Sequence, residues 1–131
     1  MDLGISGKRA VVAASTSGLG LATAVALADA GCTVVINGRT EDRLAETVPK
    51  VRGSIAIAGD MSTRAGAETF IDAAAEALGG IDILVTNAGG PPRGNFAETD
   101  IADYAAALEM NLVSMAALCK KVVPGMQAQH W

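Results

Sequence analysis

Histidine and tyrosine occur once each, as His130 and Tyr104, and cysteine twice, as Cys32 and Cys119. Two isolated cysteines without paired spacing exclude a zinc framework and a disulfide scaffold. They read as reduced, partly buried thiols of a cytoplasmic protein. Basic residues are also few. Ten Lys and Arg face fourteen Asp and Glu, for a formal charge of −4 and a pI of about 4.8. That balance speaks against nucleic acid or an anionic membrane surface as a partner. Charge or glycine interrupts the apolar runs well short of the roughly 20 residues that span a bilayer. The start, Met1-Asp2-Leu3-Gly4, lacks a basic segment followed by an apolar core, so no secretory leader is expected. Long polar or charged runs are missing as well, which argues against disorder. What is present is core: half of the 131 residues are hydrophobic, and mean hydropathy is +0.35. One domain's worth of chain is expected, over residues 1–131, with no linker or repeat.

The chain is organised around residues 11–29, VVAASTSGLGLATAVALAD. An apolar run stops at the small turn Ser15-Thr16-Ser17-Gly18-Leu19-Gly20, and an Ala-rich stretch follows at helical spacing. Strand, Gly-rich turn and helix in that order open a nucleotide-binding βαβ unit. A helix N-terminus carries unpaired N–H groups and partial positive charge, so it attracts phosphate. Gly18 and Gly20, without Cβ atoms, let backbone come close to a ligand and to the strand.

Strands are expected at 8–14, 33–37 (TVVIN), 54–58 (SIAIA) and 81–86 (IDILVT). Helices are expected at 18–30, capped by Gly31; from 41 to near Pro49, capped by Thr40; at 64–78, capped by Ser62 or Thr63 and ended by Gly79-Gly80; and from Asp100 to about Gln127, with a bend or end at Pro124-Gly125. Residues 87–99 form a loop rich in Gly and Pro. Four alternations of strand and helix with right-handed crossovers predict an α/β, doubly wound parallel sheet, Rossmann-like, first half only, in strand order 3-2-1-4.

Ala13-Ala14-Ser15-Thr16-Ser17-Gly18-Leu19-Gly20 resembles the Thr-Gly-x-x-x-Gly-x-Gly cofactor turn of the short-chain dehydrogenases/reductases. Ala13 replaces the family's Thr and Ala14 its first Gly. Thr86-Asn87-Ala88-Gly89 resembles the family's Asn-Asn-Ala-Gly, with Thr86 for the first Asn. Because positions 13 and 86 lie near each other in the sheet, some local hydrogen bonding is expected to be rearranged. The resemblance implies a cofactor site built from Ala14, Ser15, Thr16, Ser17, Gly18, Leu19, Gly20, Arg39, Asp60, Met61, Asn87, Ala88 and Gly89, with no metal. In it Asp60 accepts from the adenine amino group and Met61 meets the ring, although Asp60 is equally placed to cap the third helix. The turn 87–89 runs along the ribose and nicotinamide. Met110-Asn111-Leu112 resembles the family's helical Asn, whose freed carbonyl holds a water of the proton relay; the alternative is a polar residue on a wet face. After the second strand comes Asn37-Gly38-Arg39, with no acid before Glu41. An acid there would suit the 2′-hydroxyl of NAD, whereas Arg39 suits a 2′-phosphate, so NADP(H) is expected over NAD(H).

The family moves a hydride between nicotinamide and a carbonyl or secondary alcohol, and a Tyr with a Lys four residues later supplies the proton, beside a Ser. None of the three matches here. Tyr104 is followed four residues later by Leu108 and precedes Asn111, so packing or surface is its expected place. His130, next to the end, is given no catalytic role. Arg93, in the loop 90–94, reads as solvated rather than as a contact for an anionic substrate. The expected function is therefore the cofactor half of an NADP(H)-dependent oxidoreductase of a small carbonyl or alcohol. The alternative is a nucleotide-binding or interaction module without catalysis. Leu108, Leu112, Met115, Leu118 and Val122 recur at helical spacing, and an exposed stripe there is expected to self-associate, making a homo-oligomer through the helix 100–127.

Overall fold

The computed structural model describes residues 2–131; Met1, the first residue of the leader expectation, lies outside the described residues. Four strands, β1 (Arg9–Val12), β2 (Thr33–Gly38), β3 (Ile55–Ala58) and β4 (Ile83–Val85), form one parallel sheet in the order β3-β2-β1-β4. The expected order is the observed one. β1 and β4 are shorter than their apolar runs suggested. Ala13 still donates its N–H to the Val85 carbonyl (3.1 Å), but Ser15 has turned to the Asn37 carbonyl (2.9 Å).

Alternate residues of the central strands enter two cores. Ala10, Val12, Val34 and Ile36 face helix α1 (Gly18–Asp29), while Val11, Ala13 and Val35 face helices α3 (Arg64–Leu78) and α5 (Ser114–Ala128). Burial on both faces explains why these strands read as unbroken β-branched runs. On α1 the buried residues are Gly20, Ala24 and Ala28, spaced by four. Small side chains on that line let the helix lie close to the sheet. On α3 the buried line is Ala67, Phe70, Ile71 and Ala74, with Thr63 capping through Gly66 N (3.1 Å) and Gly79 left-handed (φ 70°) after the end. The short helix α2 (Glu41–Thr47) is capped by Thr40 and continues as one 3₁₀ turn, Val48–Lys50.

The last helical stretch occupies the range expected for it, from Asp100 to about Gln127. Helix α4 (Ile101–Leu108) and α5 are fused by a π turn, Glu109–Val113, and α5 runs through Pro124 without ending there. By length and composition alone, Ile101–Ala128 is long and apolar enough to cross a membrane, with an 18-residue window of mean hydropathy 1.2. The expected stripe is also divided. Leu118 and Val122 are buried against α3 and Met115 packs beside them, whereas Leu108 and Leu112 are each 59% exposed. The exposed line is Ile101, Tyr104, Leu108 and Leu112. The π turn inserts extra winding between the two lines, so one seven-residue pattern cannot serve both. Cys32 is buried, and burial pushes its thiol pKa up; Cys119 is exposed.

Candidate active site: the cleft at the carboxyl ends of the strands

All four strands end at one rim, and a cleft of about 940 Å³ opens there. It lies where the chain passes from β1 outward in both directions, the switch point at which open α/β sheets bind ligands. Its floor is backbone. After Val12 the chain turns sharply, and Ala14 is left-handed (φ 47°). That backbone suits glycine and costs an alanine about 1 kcal/mol. Two side-chain amides hold it. Ala14 donates its N–H to Asn37 Oδ1 (2.9 Å), and its carbonyl accepts from Asn87 Nδ2 (3.0 Å). Asn87 Nδ2 also reaches the Ala13 carbonyl (3.3 Å). Near Ala13 and Thr86, main chain and Asn87 make the link between β1 and β4.

Asn37 was not expected in the site. It is buried, and its Nδ2 donates to the Ile57 (3.3 Å) and Gly59 (3.1 Å) carbonyls. One side chain thus ties the turns after β1, β2 and β3. Its signal in the sequence is a lone polar residue closing the β-branched run TVVIN. A buried amide must have all its partners, so its position demands this network.

Ala14, Thr16, Ser17, Gly18, Leu19, Arg39, Asp60, Met61, Asn87, Ala88 and Gly89 line the cleft together. Ser15 and Gly20 do not line it. The Ser15 hydroxyl is buried beneath the turn, donating to the Val12 carbonyl (2.8 Å) and accepting from Asn37 N (2.8 Å). Gly20 is where α1 crosses the turn. A Cβ there would fall on the Ala14 carbonyl oxygen and within 2.8 Å of Asn87 Nδ2. Ser17, the N-cap of α1, is extended (φ −160°) and makes no side-chain cap, so the first turn of the helix presents its N–H groups at the rim.

Thr40, Arg43 and Met110 also line the cleft, and sequence reasoning missed them as site residues. Arg43 lies on the first turn of α2 and shares the cleft wall with Arg39, which stands just after β2 and before the helix. Asp60 is held below the usual carboxylate range, first by the Ser62 N–H on its Oδ1 (2.9 Å), then by the Ser62 hydroxyl and the charge of Arg39. It is an ionised acceptor at neutral pH.

Asn111 is not on the cleft wall, although Met110 is. It lies in the π turn, and its Nδ2 donates back to the Ala107 carbonyl (2.9 Å). The Glu109 carbonyl accepts from Ser114 N, five residues on, and the Glu109 carboxylate accepts from Arg64 N (3.0 Å) at the start of α3. The distortion expected at Asn111 is therefore present, and Glu109 ties it to the turn that bears Asp60. Tyr104 and Arg93 are exposed, and neither lines the cleft.

A family model described as short chain dehydrogenase matches residues 8–131. The chain belongs to the short-chain dehydrogenases/reductases. It is 32% identical over 124 residues to a glucose 1-dehydrogenase of Gluconobacter oxydans, covering 90% of this chain and 46% of that one. It is 33% identical to a 2-dehydro-3-deoxy-D-gluconate 5-dehydrogenase of Formosa agariphila, with 93% and 48% covered. The L-sorbose reductase of Gluconobacter frateurii, solved with NADPH and L-sorbose, superposes with a TM-score of 0.90 at 34% identity, over 98% of this chain and 51% of that one. An NADH-dependent reductase solved with NAD gives 0.87 at 30% identity, over 98% and 56%. The short-chain dehydrogenase fold is thus present over the first four strands, and the chain spans about half the length of the curated relatives it matches.

Proposed function

We propose that this short-chain dehydrogenase chain is the cofactor-binding half of an NADP(H)-dependent oxidoreductase acting on a small carbonyl or secondary alcohol. One observation carries the reading: Arg39, just after β2, and Arg43, on the first turn of α2, share the cleft wall with the residues that open α1. The residues present fit a dinucleotide. The absent Cβ of Gly20 lets α1 start against the Ala14 turn, which brings its N–H groups to the rim. Thr16, Ser17, Gly18 and Leu19 would hold the pyrophosphate there. Arg39 and Arg43 would take the 2′-phosphate, each with a planar fork suited to its oxygens. Asp60 would accept from the adenine amino group and Met61 would meet the ring. Asn87, Ala88 and Gly89 would lie along the ribose and nicotinamide side.

When bound, the nicotinamide supplies a hydride to the substrate carbon or accepts one from it. The chain's own share is to bind, orient and exclude water. Asn111, in the π turn, would hold a water of the proton relay through its backbone carbonyl. The acid that protonates the developing alkoxide is not assigned to Tyr104, which neither lines the cleft nor has a lysine four residues later. That same observation supports the second reading, a nucleotide-binding module without catalysis. NADPH is expected to bind this chain about tenfold more tightly than NADH in a fluorescence titration, without turnover. No NADPH binding would remove both readings. Equal binding of the two nucleotides would remove the phosphate assignment. Self-association through 100–127 belongs to the same proposal. The exposed line of Ile101, Tyr104, Leu108 and Leu112 supports it, and a monomer in sedimentation at micromolar concentration would end it.

A further inference from the structure

Gly38, the last residue of β2, has no backbone reason to be glycine, for it is not among the positive-φ residues. Its neighbours supply the reason. A Cβ built at Gly38 would lie 2.5 Å from the Thr16 methyl and 3.3 Å from Leu44 Cδ2 and Cγ. The two walls differ. Leu44 is 1% exposed and packed among the α1-side core with Ala10, Val12 and Ile36, so it cannot give way without disturbing that core. Thr16 is half-buried and stands on the cleft wall. A side chain at position 38 would therefore displace Thr16, and the disturbance would pass to the turn that faces the cleft. The end of the second strand is also where a dinucleotide fold can place an acid for the ribose 2′-hydroxyl.

We propose that Thr16 is a specificity-determining residue. Its methyl occupies the space that an acidic side chain at position 38 needs, and this leaves Arg39, next in the chain, and Arg43 as the basic groups on the cleft wall at that strand end. The ligand class so selected is a nucleotide with a phosphate on the 2′-oxygen of its adenosine ribose. The proposal rests on the NADP(H) reading above and adds to it a steric gate on the Gly-rich turn, far in sequence from the arginines.

The test is a double-mutant cycle on the 131-residue chain, with NADPH and NADH titrated separately. Gly38→Asp alone is expected to weaken NADPH about tenfold or more and to gain little NADH affinity. In the Thr16→Ala background, Gly38→Asp is expected to bind NADH about tenfold more tightly than the single variant does. An equal gain in both backgrounds would overturn the gate while leaving the NADP(H) reading standing. A parent chain that prefers NADH, or binds neither nucleotide, would overturn reading and gate together. Gly38→Ala serves as a milder probe. It is expected to reduce NADPH affinity about fivefold with Thr16 present and less than about twofold with Thr16→Ala. A Gly38→Ala chain that melts cooperatively only in the Thr16→Ala background also supports the gate. Failure to fold in both backgrounds overturns it, because Leu44 would then be the wall that decides.

Discussion

The two ends of the sheet are built by opposite means. At the carboxyl ends of the strands, backbone is left open and side chains serve it: Asn37 and Asn87 spend their amides on main-chain groups, and Gly20 and Gly38 remove Cβ atoms. At the amino ends, side chains bind one another. Arg9 grips Asp82 through Nε (2.9 Å) and Nη2 (2.8 Å), gives Nη1 to the Gly79 carbonyl (2.7 Å), and reaches Gln129 Oε1 (2.9 Å). Gln129 in turn donates to Asp82 Oδ1 and the Ile81 carbonyl, both 3.0 Å. Lys8 stands 3.6 Å over the Trp131 ring, so the end of α5 is fastened to the start of β1. One end is arranged for contact with a ligand, the other for holding the sheet and its last helix together.

A substitution at the fastened end is expected to cost stability and leave the cleft intact. Asp82→Ala leaves the Arg9 guanidinium, 29% exposed, without its carboxylate, and about 2 kcal/mol of stability should be lost. NADPH affinity should stay within about twofold, because the cleft is at the other rim. A stability loss accompanied by a tenfold affinity loss would show that the two ends are not separate. Gly20→Ala attacks the open end. Its Cβ meets the Ala14 carbonyl, a main-chain group that cannot swing away, so about 1–3 kcal/mol of stability and most NADPH binding should go together. Melting and titration of the same sample decide this.

Acid sharpens the contrast. The Arg9 hydrogen bonds hold the Asp82 pKa down at about 2. Its folded pKa is below its unfolded one, near 3.9, so its contribution is fully present above about pH 4 and fades as pH falls toward 2. Up to about 2 kcal/mol should disappear in that window, and Asp82→Ala should flatten that part of the curve. An unchanged acid limb in the variant would sink the assignment. The smallest effect is expected at Ala14→Gly. Relief of the left-handed alanine is opposed by the greater freedom of an unfolded glycine, leaving a gain of at most about 0.5 kcal/mol in melting experiments. A loss would mean that the two amides, not the backbone preference, set the turn.

Much of the fold was legible because burial is periodic. The runs TVVIN and IAIA, the Ala-rich stretch after Gly20, and Gly31 and Gly79 beyond their helices each encode an element locally. Alternation of those elements, with right-handed crossovers, then leaves little choice of sheet order. The Gly-rich turn, Arg39, Asp60 and Asn87 were legible for the same reason: each follows a strand and so reaches the same rim. Leu118 and Val122 were misread because helical spacing says which residues share a face but not what covers it.

The sequence by itself determined the parallel sheet, its order and the rim at which the site is built, since each follows from local pattern and chain chirality. Only the tertiary structure decided the rest. Asn37 meets Ala14 from 23 residues away, Asn87 from 73, and Arg9 meets Gln129 from 120. The contact that a Cβ at Gly38 would make with Thr16 likewise exists only once β1 and β2 are in register. Such partners are fixed by register and packing distance, quantities that no stretch of sequence carries alone.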